Sequence, residues 1–155
     1  MADEYQHVLV PVDCSPNTPL MMEALARFIG SQPCRVTLAA AVSAAPTPEI
    51  REKRRQHAQE ALDRARWILR EYGIYPQLRI AEGSSDGCDP AETFARIADG
   101  TPMDRYDVVL LGTHQTQIEE YDYDLPCRGS FADRLCRQLR LPAVIIPAAL
   151  AKETK

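Results

Sequence analysis

The run Val108-Val109-Leu110-Leu111 is apolar at every position rather than at alternate ones. A strand with one wet face alternates. A strand that is apolar throughout has both faces covered, as in a parallel sheet with helices on each side. Gly112-Thr113 ends the run where the backbone must turn tightly. A polar, acidic loop follows, and then Gly129-Ser130 stands before a helical pattern. Ser130 suits an N-cap, and Gly129 lets a backbone approach a ligand with no side chain between them. The helix carries Phe131, Leu135 and Leu139 on one face, with Cys136 beside them. Leu141-Pro142 stops it, and Ala143-Val144-Ile145-Ile146 is a second fully apolar strand. This order of strand, glycine, loop, glycine-serine, helix and strand is half of a nucleotide-binding α/β unit.

The earlier chain supplies the other half. His7-Val8-Leu9-Val10-Pro11-Val12 reads as a central strand that loosens near Pro11, since proline gives no ladder hydrogen bond. Asp13-Cys14-Ser15-Pro16-Asn17 is turn chemistry, and Thr18 caps a helix with Pro19 at its first position. That helix carries Met21, Ala24, Leu25 and Phe28 on one stripe and stops at Gly30. Residues 35–42 form a second strand. A long helix over 49–72 follows, with Ala58, Ala61, Leu62, Ala65, Ile68, Leu69 and Tyr72 as its stripe and Gly73 as its stop. In Leu78-Arg79-Ile80-Ala81 apolar and polar residues alternate, which marks an edge strand or one wet face. Asp89-Pro90 opens a helix with Phe94, Ile97 and Ala98 inward, and 151–155 is a loose tail.

Five strands alternating with four helices predict an α/β fold: an open five-stranded parallel sheet with helices on both faces. Right-handed crossovers make the chain reverse direction within the sheet. If strand four lies beside strand one, ligands bind where the two carboxyl ends part, and Asp13 faces Gly112. At 155 residues the chain is one domain, 1–155. A net charge of −4 argues against nucleic acid as a partner. No run is long and apolar enough for a membrane helix, and the polar, acidic opening MADEYQ has no signal-peptide pattern. The five cysteines show no metal-ligand spacing, so reduced thiols in a cytoplasm are expected and no metal site is.

With these residues in place, the chain resembles the universal stress proteins over nearly its whole length. The resemblance rests on the P-x-D-x-S pattern at Pro11, Asp13 and Ser15, on Gly112-Thr113 closing strand four, and on Gly129-Ser130. It is completed by a helix and the strand Leu141-Pro142-Ala143-Val144-Ile145-Ile146. It implies a sheet order of 3-2-1-4-5, the adenine-nucleotide α-hydrolase-like arrangement, and a homodimer joined through the last strand, 142–147. An apolar edge strand left uncovered is an association hazard, which independently favours that dimer. The resemblance also implies cofactor-binding positions at Pro11, Asp13, Ala41, Gly112, Thr113, His114, Gly129 and Ser130. ATP or AMP would be the ligand, with magnesium only as the nucleotide's companion.

The family's nucleotide binders carry a G-x-x-G loop, a spacer and then G-[ST]. Here Gln115 stands at the second glycine, and thirteen residues, 116–128, precede Gly129. The insertion holds Glu119, Glu120, Asp122 and Asp124 against Arg128 alone. A side chain at Gln115 crowds the backbone amides that would cradle phosphate, and the carboxylates repel it. Tyr121 and Tyr123 among the acids give 116–128 the look of a contact surface for a protein partner. Each site residue also has a plainer reading: an Asx-turn at Asp13, sheet packing at Ala41, a turn at Gly112, a solvated His114, and a helix cap at Gly129-Ser130. No catalytic constellation is evident, and DCSPNT is not the SGGxDS loop of related enzymes. The leading expectation is a stress-response regulatory or interaction module with an altered adenine-nucleotide pocket that does not bind ATP. The alternative is an ATP- or AMP-binding sensor with at most slow ATP hydrolysis.

Overall fold

A computed structural model describes residues 6–12, 18–30, 33–42, 45, 47–83, 90–100, 105–112 and 131–146. Its elements run β1 (Gln6–Pro11), α1 (Thr18–Ile29), β2 (Cys34–Val42), α2 (Pro48–Glu71), β3 (Gln77–Glu82), α3 (Pro90–Ala98), β4 (Val108–Gly112), α4 (Phe131–Gln138) and β5 (Ala143–Ile146). All pairings are parallel, and the sheet order is β3-β2-β1-β4-β5. This is the order and arrangement the sequence led us to expect. Among the described residues no helix is long and apolar enough to cross a membrane.

The continuous apolar runs now have their reason. Along β1, Val8, Val10 and Val12 enter the layer under α1 and α2, while Leu9 enters the layer under α3 and α4. Along β4, Leu110 faces the first layer, and Val109 and Leu111 face the second. Each central strand is therefore buried from both sides. On β3, Leu78 and Ile80 pack against the first layer while Arg79 and Glu82 are exposed, so the alternating strand is the wet edge.

Helix ends follow local chemistry. The Thr47 hydroxyl accepts from the Ile50 amide at 3.2 Å, with Pro48 in the first turn of α2. Gly30 (φ 61°) and Gly73 (φ 79°) end α1 and α2 in the left-handed region, where a Cβ is strained. Two expected core residues are not in the core. Phe28 and Tyr72 are 49% and 42% exposed; the expected Met21, Ala24 and Leu25 of α1 are buried, together with Thr18, Met22, Ala26 and Ile29. Cys136 is exposed as well, while Leu135 beside it is fully buried.

At the amino ends of the strands a polar group interrupts the second layer. His7 is buried. Its Nδ1 lies 3.0 Å from the Arg105 carbonyl and its Nε2 lies 2.8 Å from the Thr37 hydroxyl. A carbonyl only accepts, so Nδ1 carries the proton, and in the neutral ring Nε2 takes the hydroxyl's. The ring tilts against Tyr106 at 4.4 Å between centroids, and the Tyr106 hydroxyl accepts from Arg79 at 2.9 Å. The His7 amide also donates to the Asp107 carboxylate at 2.8 Å. Four strands or their approaches are thereby tied at one end of the sheet.

Candidate functional site

β1 and β4 lie side by side, with Val8 opposite Val108 and Leu9 opposite Val109. β2 and β3 extend the sheet on one side of β1, while β4 and β5 extend it on the other. The direction of winding reverses between β1 and β4, and the carboxyl ends of these strands bound the crevice where open α/β sheets take ligands.

Pro11 shapes that crevice. The Val12 amide donates to the Ala39 carbonyl at 2.8 Å, so pairing with β2 continues past the proline and β1 does not loosen on that side. Successive residues of a strand present their backbone groups to alternate sides. The N–H that Pro11 lacks would have pointed toward β4, and the β1–β4 register ends at Leu9–Val109. The hydrogen-bonded ladder between the two strands ends there.

Ala41 is placed by the same alternation. The Val42 carbonyl accepts from the Gly83 amide at 2.8 Å on the β3 side. The backbone groups of Ala41 therefore face the β1 side, level with the point where β1 has ended. Ala39, Ala41 and Ala81 are small residues, and Ala39 and Ala81 belong to the layer under α3 and α4. On the other face the floor is closed. Met21, Met22 and Leu25 of α1 meet Val10, Pro11, Leu110, Leu111 and Ile146 with only about 10 Å³ left free.

Of the expected site residues, the structure thus brings Pro11, Ala41 and Gly112 to one edge of the sheet. Asp13, Thr113, His114, Gly129 and Ser130 lie outside the described residues, as does the acidic loop 116–128. Arg55 of α2 pairs with Glu82 at the carboxyl end of β3, its Nε donating at 3.1 Å, and that hydrogen bond and charge raise the Arg55 pKa further. Both side chains remain well exposed, so the pair orients α2 more than it stabilises the fold. Burial pushes the Cys34 thiol up from its ordinary value. Cys34 opens β2 at the opposite end from the crevice. Among the described residues no group of three His, Cys, Asp or Glu side chains could hold a metal ion. The sequence reading missed the His7–Thr37–Tyr106–Arg79 group. Its signal was a histidine and a threonine set within otherwise apolar strands.

No family model matches the chain, and no curated protein does. Solved structures match over nearly the whole length. A universal stress protein family member from Burkholderia pseudomallei is 22% identical, with 93% of this chain and 97% of that one covered at a TM-score of 0.67. The universal stress protein of Archaeoglobus fulgidus in complex with dAMP is 16% identical, with 92% and 98% covered at 0.66. An Arabidopsis thaliana universal stress protein family member with AMP bound is 14% identical, with 92% and 91% covered at 0.59. By strand order, layering and whole-chain superposition, this chain has the universal stress protein fold.

Proposed function

We propose that the chain is a cytoplasmic regulatory binding protein of the universal stress type, whose crevice between β1 and β4 takes an adenosine monophosphate in preference to ATP. The observation that carries the reading is the end of the β1–β4 ladder at Leu9–Val109, with the Ala41 backbone turned toward the β1 side beyond Pro11. Backbone groups at that height can hydrogen-bond an adenine edge, and the alanines beside them leave room for a flat ring. Asp13 would meet the ribose, while Gly112, Thr113, His114 and Gly129-Ser130 would meet the phosphate. Structures of the same fold with dAMP and AMP support the ligand class. Gln115 and the four carboxylates of 116–128 disfavour a triphosphate, whose charge they oppose, unless magnesium accompanies it.

Calorimetric titration of the full chain tests this. AMP should bind with a sub-millimolar dissociation constant, and ATP with magnesium about tenfold more weakly, a difference of ~1.4 kcal/mol. ATP binding as tightly as AMP would instead favour the ATP-sensing alternative. Heat from neither nucleotide would remove the pocket.

The same reading includes a homodimer through β5. This strand has β4 as its sheet neighbour and ends the sheet, with Ile145 49% exposed in a wholly apolar run. Pairing two such edges about a two-fold axis covers both. Light scattering should show a dimer, and Ile145→Lys should convert it to a folded monomer. A wild-type monomer, or a dimer untouched by Ile145→Lys, would refute the interface. The acidic loop 116–128 remains our proposed surface for a further protein partner.

A further inference from the structure

At the end of the sheet away from the crevice, a recess of about 430 Å³ opens between the carboxyl ends of α1 and α2. Its walls include Gly30, Cys34, Val36, Tyr72, Gly73 and Tyr75. We infer that this recess is a second ligand site, for a small organic cation: an aryl- or alkylammonium or a guanidinium compound.

Three features favour a cation, although the last turns of α1 and α2 already carry Arg27 and Arg70. Two helices end at the recess, at Gly30 and Gly73, and each helix carries roughly half a negative charge at that terminus. Capping hydrogen bonds engage the carbonyls of Ala26, Leu69 and Arg70, while a helix leaves its last four carbonyls without intrahelical partners. Tyr72 and Tyr75 present aromatic rings, whose faces attract cations. The preference is already expressed in the molecule: the Arg70 guanidinium stands 5.6 Å from the centroid of the Tyr75 ring. Among the described residues no lysine, arginine or histidine lines the recess itself, and Arg70 reaches only its Tyr75 rim.

Size and lining then select the kind of cation. The volume falls within the range of small-molecule pockets, roughly 300–1,000 Å³. No carboxylate lines it, so a hard metal ion would lack ligands. Ile29, Val36 and Ile74 offer an apolar wall for a hydrocarbon group attached to the charge. The aromatic residues are themselves accessible, Tyr75 at 72%.

The test is an amide NMR titration of the full chain with benzyltrimethylammonium, benzyl alcohol and benzoate. The cation should shift Gly30, Cys34, Gly73 and Tyr75 saturably. Benzyl alcohol should bind about fivefold more weakly, and benzoate should leave these signals in place. Tyr75→Phe should keep the affinity, and Tyr75→Leu should lose about fivefold, since only the first retains the ring face. Arg70→Gln should tighten binding about twofold by removing a like charge. Both residues are on the surface, so these variants fold. Equal binding of cation and alcohol, shifts scattered elsewhere, or no saturation would overturn the site. None of these outcomes depends on the nucleotide crevice.

Discussion

Alanine at Phe94 should lower the unfolding free energy by about 3–5 kcal/mol. Phe94 is the largest of the fully buried side chains, 1% exposed. It projects from α3 into the layer shared with Leu9, Ala39, Val109 and Leu111 of the sheet and Leu135 of α4. Truncation removes its transfer free energy and leaves a cavity that four neighbouring elements must close without moving their backbones. Domains of this kind are stable by only about 5–15 kcal/mol in total, so the loss is a large share. A urea titration should show the midpoint fall with an unchanged slope. Size alone does not produce this effect. Trp67 is larger but 66% exposed on the outer face of α2, and Trp67→Ala should cost under about 0.5 kcal/mol. The Phe94 change should also weaken AMP, because α4 begins one residue after Gly129-Ser130 and is held down by this layer. Phe94→Leu should restore most of both quantities. A Phe94→Ala loss below about 1 kcal/mol would mean that the layer can repack, and that α4 is held by something else.

The elements and their order were legible because burial on two faces writes an unmistakable pattern. Val108–Leu111 could not be a half-wet strand, and the alternation in residues 78–81 marked an edge or one wet face. The strand order came from resemblance, since hydrophobicity says which faces are covered but not which strand is the neighbour. Helix rotation was the weaker point. In α1 the residues Met21, Met22, Leu25, Phe28 and Ile29 are all apolar, so two stripes about 60° apart fit equally well. Packing buries Met21 and Ala24 along with Met22 and Ile29, and leaves only Phe28 of the expected stripe outside. The last strand was expected to be an apolar edge, and it is one: β5 ends the sheet and Ile145 stays half-exposed. In the crevice, the consequence of Pro11 was legible only on one side. That it lacks a donor is in the sequence, whereas the strand it fails to reach, β4 and not β2, is decided by the parity of the Val12–Ala39 bond.

Leucine at His7 should cost about 1–3 kcal/mol, and the route by which it does so can be isolated. The change keeps an apolar side chain of similar bulk, so little of the cost is cavity. What is lost is the partner of the Thr37 hydroxyl, in a residue 1% exposed, and the partner of the Arg105 carbonyl. A buried polar atom stripped of its hydrogen bond bears its whole desolvation penalty, whereas removing both members of a pair is close to neutral. Thr37→Val alone should therefore destabilise, because the neutral ring's Nε2 loses its donor. Added to His7→Leu, it should instead recover about 1 kcal/mol, because no orphaned hydroxyl remains. The double mutant would then be more stable than His7→Leu alone, a reversal of sign that simple volume effects do not give. Arg105 is exposed, so water can reach its side of the group, and the recovery should come from Thr37 rather than from the carbonyl. Denaturant melts of the wild type, the two single variants and the double variant decide the matter. If the two costs add, His7 serves this end of the sheet through bulk and its contact with Tyr106, and its ring nitrogens are incidental.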